Sequence, residues 1–140
     1  MQNQDIQESN FRSEMKTNNL RITNVRLQIF TILSEATQPL SIKQIVDKVN
    51  NAHFVSVYRS IDALHEVGIV KQVPQGFKNL FELSESFIPH HHHAICSSCG
   101  SITNIKSSHL EKLIREISEN IQFKEASHQI ELHGMCANCS

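Results

Sequence analysis

The sequence contains no tryptophan, one tyrosine and three prolines, and it lacks any long apolar run among its 140 residues. With so little tryptophan and tyrosine, we expect an aliphatic core. No segment approaches the roughly 18 apolar residues of a membrane helix. The polar start, MQNQDIQESNFRSEMK, lacks the apolar centre of a signal peptide. These absences predict a cytoplasmic protein.

An excess of charge of one sign is also lacking, since 13 Lys and Arg stand against 14 Asp and Glu, a net charge of −1. This balance argues against a protein that coats nucleic acid non-specifically. It leaves room for a local basic patch, because residues 15–80 hold eight basic residues and four acidic ones. A basic excess of this kind supplies phosphate contacts, which give affinity without selecting sequence.

The apolar pattern divides the chain into two parts. Thr23 and Ser41 are good N-caps for two helices, and a third helix is expected at about 55–67. The run 69–83 then reads as a hairpin around a Pro-Gln-Gly turn. Three helices followed by a hairpin is the order of a winged helix-turn-helix. We therefore expect an α+β fold with an N-terminal arm at 1–15, a winged-helix domain at 16–83, a hinge at 84–89 and a small α/β domain at 90–140.

The second part should contain a strand into Cys96, a strand at 101–105, an amphipathic helix near 108–121 and a strand near 126–135. The helix is expected to bury its apolar face, formed by Leu110, Leu113, Ile114, Ile117 and Ile121. A domain of about 50 residues rarely stands on its core alone. A bound metal and a partner subunit are the two usual remedies.

Two C-x-x-C pairs offer the first remedy. Each pair places two thiolates on one side of a tight turn, within reach of a single ion. In a cytoplasmic chain, two such pairs indicate a metal site rather than disulfides or idle redox pairs. The sequence therefore predicts a closed, structural four-thiolate zinc site, formed by Cys96, Cys99, Cys136 and Cys139.

Four consecutive histidines precede the first cysteine pair. On a strand, His90 and His92 would point to one face and His91 and His93 to the other, because side chains alternate. Imidazole suits zinc, iron and manganese. Four adjacent histidines would thus serve two different sites, although a solvated, polar edge strand is the plainer alternative.

Several stretches together resemble the ferric uptake regulator (Fur) family of metal-dependent repressors. The stretches are HHHHAICSSCG with a terminal C-x-x-C, VSVYRSIDALHEVGIV at 55–70, LRITNVRLQIF at 20–30 and LFEL at 80–83. The resemblance covers roughly residues 16–139 in the family's order. It implies a winged-helix domain joined to an α/β dimerisation domain, in a homodimer that binds an inverted-repeat operator when loaded with metal and controls metal-uptake genes.

The resemblance also implies ligands for a regulatory metal. The matching positions are His90, His92, Glu111 and His128. Iron-sensing relatives often have Asp where this chain has His92, and zinc-sensing relatives can have His. Three nitrogens and one carboxylate suit four-coordinate zinc, with ferrous iron as the other candidate. Outside the resemblance, Glu111 would be taken for a solvated helix charge and His128 for an ordinary strand residue.

A second regulatory site at the hinge matches His91, His93 and Glu82. Here the chain departs from the family pattern, with Pro39 and Asn104 where many members have a His and an acid. Zinc-sensing members often have a cysteine ligand near the end of the wing, and this chain has none there. The expected site is therefore short of ligands, and His53, His65, Glu66 and Glu85 are candidates to complete it.

The third helix carries the candidate groove-reading residues. Ser56, Tyr58, Arg59 and Asp62 lie off its apolar face and could enter a major groove. The resemblance points to Tyr58 and Arg59 as base readers and to Arg21 at the backbone or minor groove. Lys71 and Lys78 on the wing would hold phosphates.

Two other functions remain open from the residues themselves. The histidine strand with Glu111 or Glu82 could hold an open-site zinc and a water, as in a zinc hydrolase, but the chain has no H-E-x-x-H motif. A zinc-stapled DNA-binding adaptor without sensing would need one metal per chain. A metal-responsive repressor would need at least two.

Overall fold

The computed structural model describes residues 2–125 and 127–140, and it confirms the α+β fold class. The chain forms two compact units, and the division falls between Pro89 and His90. The first unit contains α1 (Gln2–Thr17), α2 (Asn24–Glu35), β1 (Leu40–Ser41), α3 (Ile42–Lys48), α4 (Phe54–Glu66), β2 (Val70–Gln75) and β3 (Lys78–Leu83). The second contains β4 (His92–Cys96), β5 (Ile102–Ile105), α5 (Ser108–Asn120) and β6 (Glu131–Gly134).

The N-terminal arm expected at 1–15 lies, from Gln2 onward, in the helix α1. Its mean composition is polar, but Phe11 and Met15, one turn apart, are both fully buried. Phe11 stacks on Phe30 of α2 with ring centroids 4.4 Å apart. These two apolar residues, spaced i, i+4, pack the polar helix onto the core, and Gln7 Nε2 donates to the Phe87 carbonyl at 2.9 Å.

The helices α2 and α3 begin where their caps predict. Thr23 accepts a hydrogen bond from the Arg26 amide at 3.2 Å. Ser41 forms a complete capping box with Gln44, whose side chain accepts from the Ser41 amide at 2.8 Å while the Gln44 amide donates to the Ser41 hydroxyl at 3.2 Å. Such caps satisfy backbone donors that a helix N-terminus leaves unpaired.

The helix α4 and the hairpin complete the winged unit. Gly68, with φ +78, ends the turn after α4, and Gly76, with φ +59, forms the tip of the β2–β3 hairpin. These left-handed conformations favour glycine. The short strand β1 pairs antiparallel with β3 and extends the hairpin to three strands in the order β1-β3-β2.

The core of the first unit is more aromatic than the sequence led us to expect. Four of the seven phenylalanines are buried in one cluster with aliphatic side chains: Phe11, Phe30, Phe81 and Phe87. Phe87 lies in the segment 84–89 expected as a hinge, and it packs edge-on against Phe30 at 5.2 Å between ring centroids. That segment belongs to the first unit.

The second unit is a three-stranded sheet with strand order β5-β4-β6. The central strand β4 pairs antiparallel with β5 and parallel with β6, and α5 lies in the connection between β5 and β6. Within the described residues, α5 buries none of its side chains in the single chain, contrary to the sequence expectation. In the parts of the chain that the structure describes, no helix is long and apolar enough to cross a membrane.

Candidate metal centres

The four cysteines converge at the end of the second unit. Their sulfur atoms all lie within 4.8 Å of one another, and Cys99 Sγ and Cys136 Sγ are 3.8 Å apart. Thiolates that share one zinc at about 2.3 Å in a tetrahedral shell are about 3.8 Å apart. None of the four cysteines forms a disulfide. The donor set therefore fits a structural zinc ion.

Backbone hydrogen bonds prepare part of this cluster for metal. The amides of Cys136 and Cys99 donate to Cys96 Sγ at 3.3 and 3.5 Å, and they lower the pKa of Cys96 to about 6. Cys96 is therefore a thiolate at neutral pH. A hydrogen bond with Cys136 raises the pKa of Cys139 to about 11. Zinc binding at neutral pH therefore releases a proton from Cys139.

A second donor cluster joins His90, His92, Glu111 and His128. Nε2 of His90 and Nε2 of His128 are 3.0 Å apart. Glu111 places Oε1 2.9 Å from His92 Nε2 and Oε2 2.8 Å from His128 Nε2. Ligands that share one four-coordinate zinc at about 2.1 Å are about 3.4 Å apart. One atom from each residue lies within 4.8 Å of the others, so the set fits a single metal ion.

Glu111 is the common partner of the three imidazoles. Burial acts to raise its pKa, but hydrogen bonds with His92 and His128 outweigh this effect and hold the pKa below its ordinary value. Glu111 therefore stays ionised to a lower pH than a solvated glutamate does. An ionised carboxylate is a ligand that suits a divalent cation.

The main chain fixes the His92 ring. The Ile130 amide donates to His92 Nδ1 at 3.2 Å, and His92 is fully buried. With Nδ1 accepting from this amide, neutral His92 carries its proton on Nε2 and donates it to Glu111 Oε1. A metal at Nε2 would need the proton of the ring on Nδ1 instead, so the His92 ring would have to change its tautomer and give up the hydrogen bond from the Ile130 amide.

The other two histidines alternate to the opposite side of the strand. Nε2 of His91 and Nε2 of His93 are 3.1 Å apart. Glu82, expected to join them, lies on β3 of the first unit, where its Oε1 is 3.2 Å from Nζ of Lys71. Lys71 was expected to contact a DNA phosphate. Its ammonium group forms an ion pair with Glu82 across the two strands, which neutralises part of its charge.

Most of the candidate DNA-reading residues are exposed on the first unit. Ser56, Tyr58 and Arg59 of α4 are all exposed, while Val57 and Ile61 on the same helix are buried in the core. Tyr58 packs against Phe54, which is 53% exposed, with ring centroids 5.1 Å apart. Arg21 and Lys78 are also exposed.

The Ferric uptake regulator family matches the chain over residues 17–133. The chain belongs to this family. Ferric uptake regulation proteins of Yersinia pestis and Vibrio anguillarum are 31% and 30% identical to it over 133 and 132 residues. These matches cover 89% and 90% of this chain and 88% and 87% of the relatives. Fur-family proteins are transcription regulators and not enzymes, which excludes the hydrolase.

Solved structures of the Fur family share the fold. The ferric uptake regulator of Helicobacter pylori superposes with a TM-score of 0.81 at 24% identity, over 96% of this chain and 92% of that one. A zinc uptake regulator in complex with zinc and DNA superposes with a TM-score of 0.60 at 26% identity, over 99% and 95%. The chain is thus a metal-responsive regulator of the Fur family.

The sequence analysis did not single out two residues that contact candidate site residues in the structure. Glu125 places Oε1 3.3 Å from His128 Nδ1. Phe54 extends the aromatic surface at the start of α4. An E-x-x-H spacing in a loop and an aromatic at a helix start are weak patterns, and only the preceding identification of His128 and Tyr58 would have drawn attention to them.

Proposed function

We propose that this Fur-family chain is a cytoplasmic repressor that senses Zn(II), with Fe(II) as the alternative, and binds an inverted-repeat operator as a metal-loaded homodimer that controls metal-uptake genes. The cluster of His90, His92, Glu111 and His128 carries the proposal, because its donor atoms converge on one point. A regulatory metal at this cluster would be a divalent cation held jointly by the Glu111 carboxylate and the three imidazoles. A DNA-binding adaptor that holds only the structural zinc would not explain why these four side chains lie together.

The donor set favours zinc. Three imidazoles and one carboxylate form a four-ligand set that suits zinc, and a site with more oxygen ligands would suit iron or manganese better. His92 supplies nitrogen where iron-sensing relatives often have Asp oxygen.

The remaining metal ligands have separate roles in the proposal. Cys96, Cys99, Cys136 and Cys139 hold a structural zinc that ties the C-terminus to β4. His91 and His93 are part of a second regulatory site. One histidine of each pair, His92 and His93, is on β4, where neighbouring side chains point to opposite faces, so two metals would be held by the same strand.

The homodimer is supported by an apolar surface on the second unit. Leu113, Ile117 and Ile121 follow one face of α5 and are 45%, 51% and 66% exposed in the single chain. A monomeric protein rarely leaves such a stripe in water. A second copy that covers it would give the assembly two α4 helices, one for each half of an inverted repeat.

Regulation then requires two conformations of the protein that differ in their affinity for the metal. The metal must bind the DNA-competent shape more tightly than the incompetent one, and DNA must in return increase metal affinity by the same factor. Arg21, Ser56, Tyr58, Arg59, Lys71 and Lys78 supply the DNA contacts in this proposal.

Metal content and DNA binding, measured on the same samples, test the proposal. We expect at least two metals per chain by elemental analysis, one of which resists a mild chelator. Removal of the other should abolish retardation of operator DNA, and zinc or ferrous iron at controlled free concentration should restore it. A chain with one resistant zinc and chelator-insensitive DNA binding would be the adaptor, and the sensing function would be wrong.

Replacement of Arg59 by alanine should weaken operator binding about 10- to 100-fold, because a bidentate arginine–guanine contact contributes about 1–3 kcal/mol of discrimination. Binding to unrelated DNA should change little, which fluorescence anisotropy can measure for both sequences. Arg115→Ala removes an exposed arginine from α5 and is the charge-matched control. Equal losses for both sequences would make Arg59 a phosphate contact rather than a base reader.

A further inference from the structure

Glu125 contacts the side of His128 that faces away from the donor cluster. Its Oε1 is 3.3 Å from Nδ1 of His128, whereas Nε2 of the same ring is 2.8 Å from Glu111 Oε2 and 3.0 Å from His90 Nε2. The two nitrogens of an imidazole point in divergent directions. Glu125 is therefore not a fifth member of the cluster but a partner of one of its ligands.

The backbone of His128 is held less firmly than that of some other members of the cluster, so its ring depends more on a side-chain partner. His92 lies on the central strand and is fixed by the Ile130 amide, and Glu111 lies in the first turn of α5. His128 lies in the segment between α5 and β6, outside either element. No strand or helix holds its backbone, so the orientation of the ring depends on side-chain contacts, and Glu125 provides the contact at Nδ1.

We propose that Glu125 is a positioning residue for the regulatory metal: it accepts the Nδ1–H of His128 and thereby presents the Nε2 lone pair of that ring to the metal. This inference rests on the proposed function of the cluster. A carboxylate on the outer nitrogen of a ligating histidine fixes the tautomer and the ring orientation, and it makes the ligating nitrogen more basic.

Glu125 also changes the charge of the site. A divalent ion with Glu111 as its single carboxylate ligand leaves one positive charge uncompensated. The side chain of Glu125 is 31% exposed and that of His128 is 23% exposed, so solvent screens the added charge only in part. With Glu125, two carboxylates match the two charges of the ion. The chain gains this second negative charge without adding a fifth ligand, which preserves the four-donor set.

Substitution of Glu125 tests the proposal on the full chain with its structural zinc in place. Affinity for the second zinc is measured by competition with a chromophoric chelator, and the absorption spectrum of bound Co(II) reports the ligand geometry. Glu125→Ala should weaken zinc binding about 10- to 100-fold, the usual effect of losing such a partner, and broaden the Co(II) bands. Glu125→Gln retains an acceptor oxygen and should lie between the wild type and Glu125→Ala.

Glu131→Ala is the matched control, because Glu131 pairs with His133 at the same 3.3 Å, outside the cluster. It should leave the second zinc affinity unchanged. The thermal midpoint of the protein that holds only its structural zinc should be the same for Glu125→Ala and the wild type.

Three results would overturn the role of Glu125. Equal zinc affinity of Glu125→Ala and the wild type would show that the contact is incidental. A lowered thermal midpoint before the second metal is added would make Glu125 a structural residue. A wild-type chain that takes up no second metal would overturn the proposed function itself and this inference with it, and the wild-type titration distinguishes that case from the first two.

Discussion

Cys139→Ser should unfold the second unit and leave the first unit folded. Cys139 lies outside the strands and helices that the structure describes, so we expect the packing of its side chain to contribute little. Among the described residues of this unit, the buried apolar side chains are Ile95, Cys96 and Ile102. So small a core needs the zinc, and structural zinc contributes about 10–16 kcal/mol of binding free energy in zinc-finger peptides. The first unit has its own core cluster and should keep its own transition.

Calorimetry and circular dichroism can measure this outcome as the loss of one thermal transition, together with one zinc fewer per chain. Asn138→Ala changes an exposed residue of the same C-x-x-C turn without touching a ligand, and it should keep both transitions and the zinc. If Cys139→Ser lost its zinc but still melted in two steps at the wild-type temperatures, the site would not be structural.

Glu111→Ala should abolish metal-dependent DNA binding while the protein stays folded. Glu111 contacts His92 and His128 and lies 3.5 Å from His90 Nε2, so its removal leaves three imidazoles without their shared anion. We expect regulatory zinc affinity to fall at least about 100-fold, beyond the 10- to 100-fold typical of a lost outer partner. At a free zinc concentration that saturates the wild type, operator binding should then equal that of the chelator-treated protein.

The control lies on the same helix. Glu116→Ala removes an exposed glutamate whose carboxylate contacts Lys112 at 3.9 Å, and both zinc affinity and operator binding should persist. Zinc content and DNA retardation measured together decide the outcome. Wild-type repression by Glu111→Ala at the same free zinc concentration would show that the histidine cluster does not control DNA binding.

The sequence predicted the winged unit well because its local signals agree with its packing. Thr23 and Ser41 cap helices in the structure as they do in the pattern, and Gly68 ends α4. Local propensity, capping and apolar period all indicate the same elements here. The tip of the hairpin likewise follows from Gly76, whose positive φ suits a tight turn.

The sequence was less informative where stability comes from distant partners. α1 reads as polar because two residues, Phe11 and Met15, provide its docking, and its hydrophobic pattern is too sparse to predict burial. α5 has the opposite property, since its strong apolar face predicted burial that the single chain does not provide. Periodicity shows that a face is apolar but not what covers it.

Some residues of the candidate metal sites were likewise predictable from local sequence patterns, and others were not. The cysteine pairs and the alternation of the histidines follow from spacing and from the period of a strand. Glu111 and His128 are 17 residues apart on a helix and in a loop, and only the family resemblance singled them out. Glu125 was missed because a glutamate in a loop has no pattern until the partner histidine is known.

The alternation of side chains on β4 also limits how this regulator can evolve. Its central strand is hydrogen-bonded on both sides, to β5 and to β6, and its run of histidines leads directly to Cys96. A single inserted or deleted residue between His90 and Cys96 would exchange the two faces and separate both pairs of histidines from their partners. If these histidines bind metal as proposed, metal preference would change by substitution of single residues, and the number of residues in this segment would stay constant.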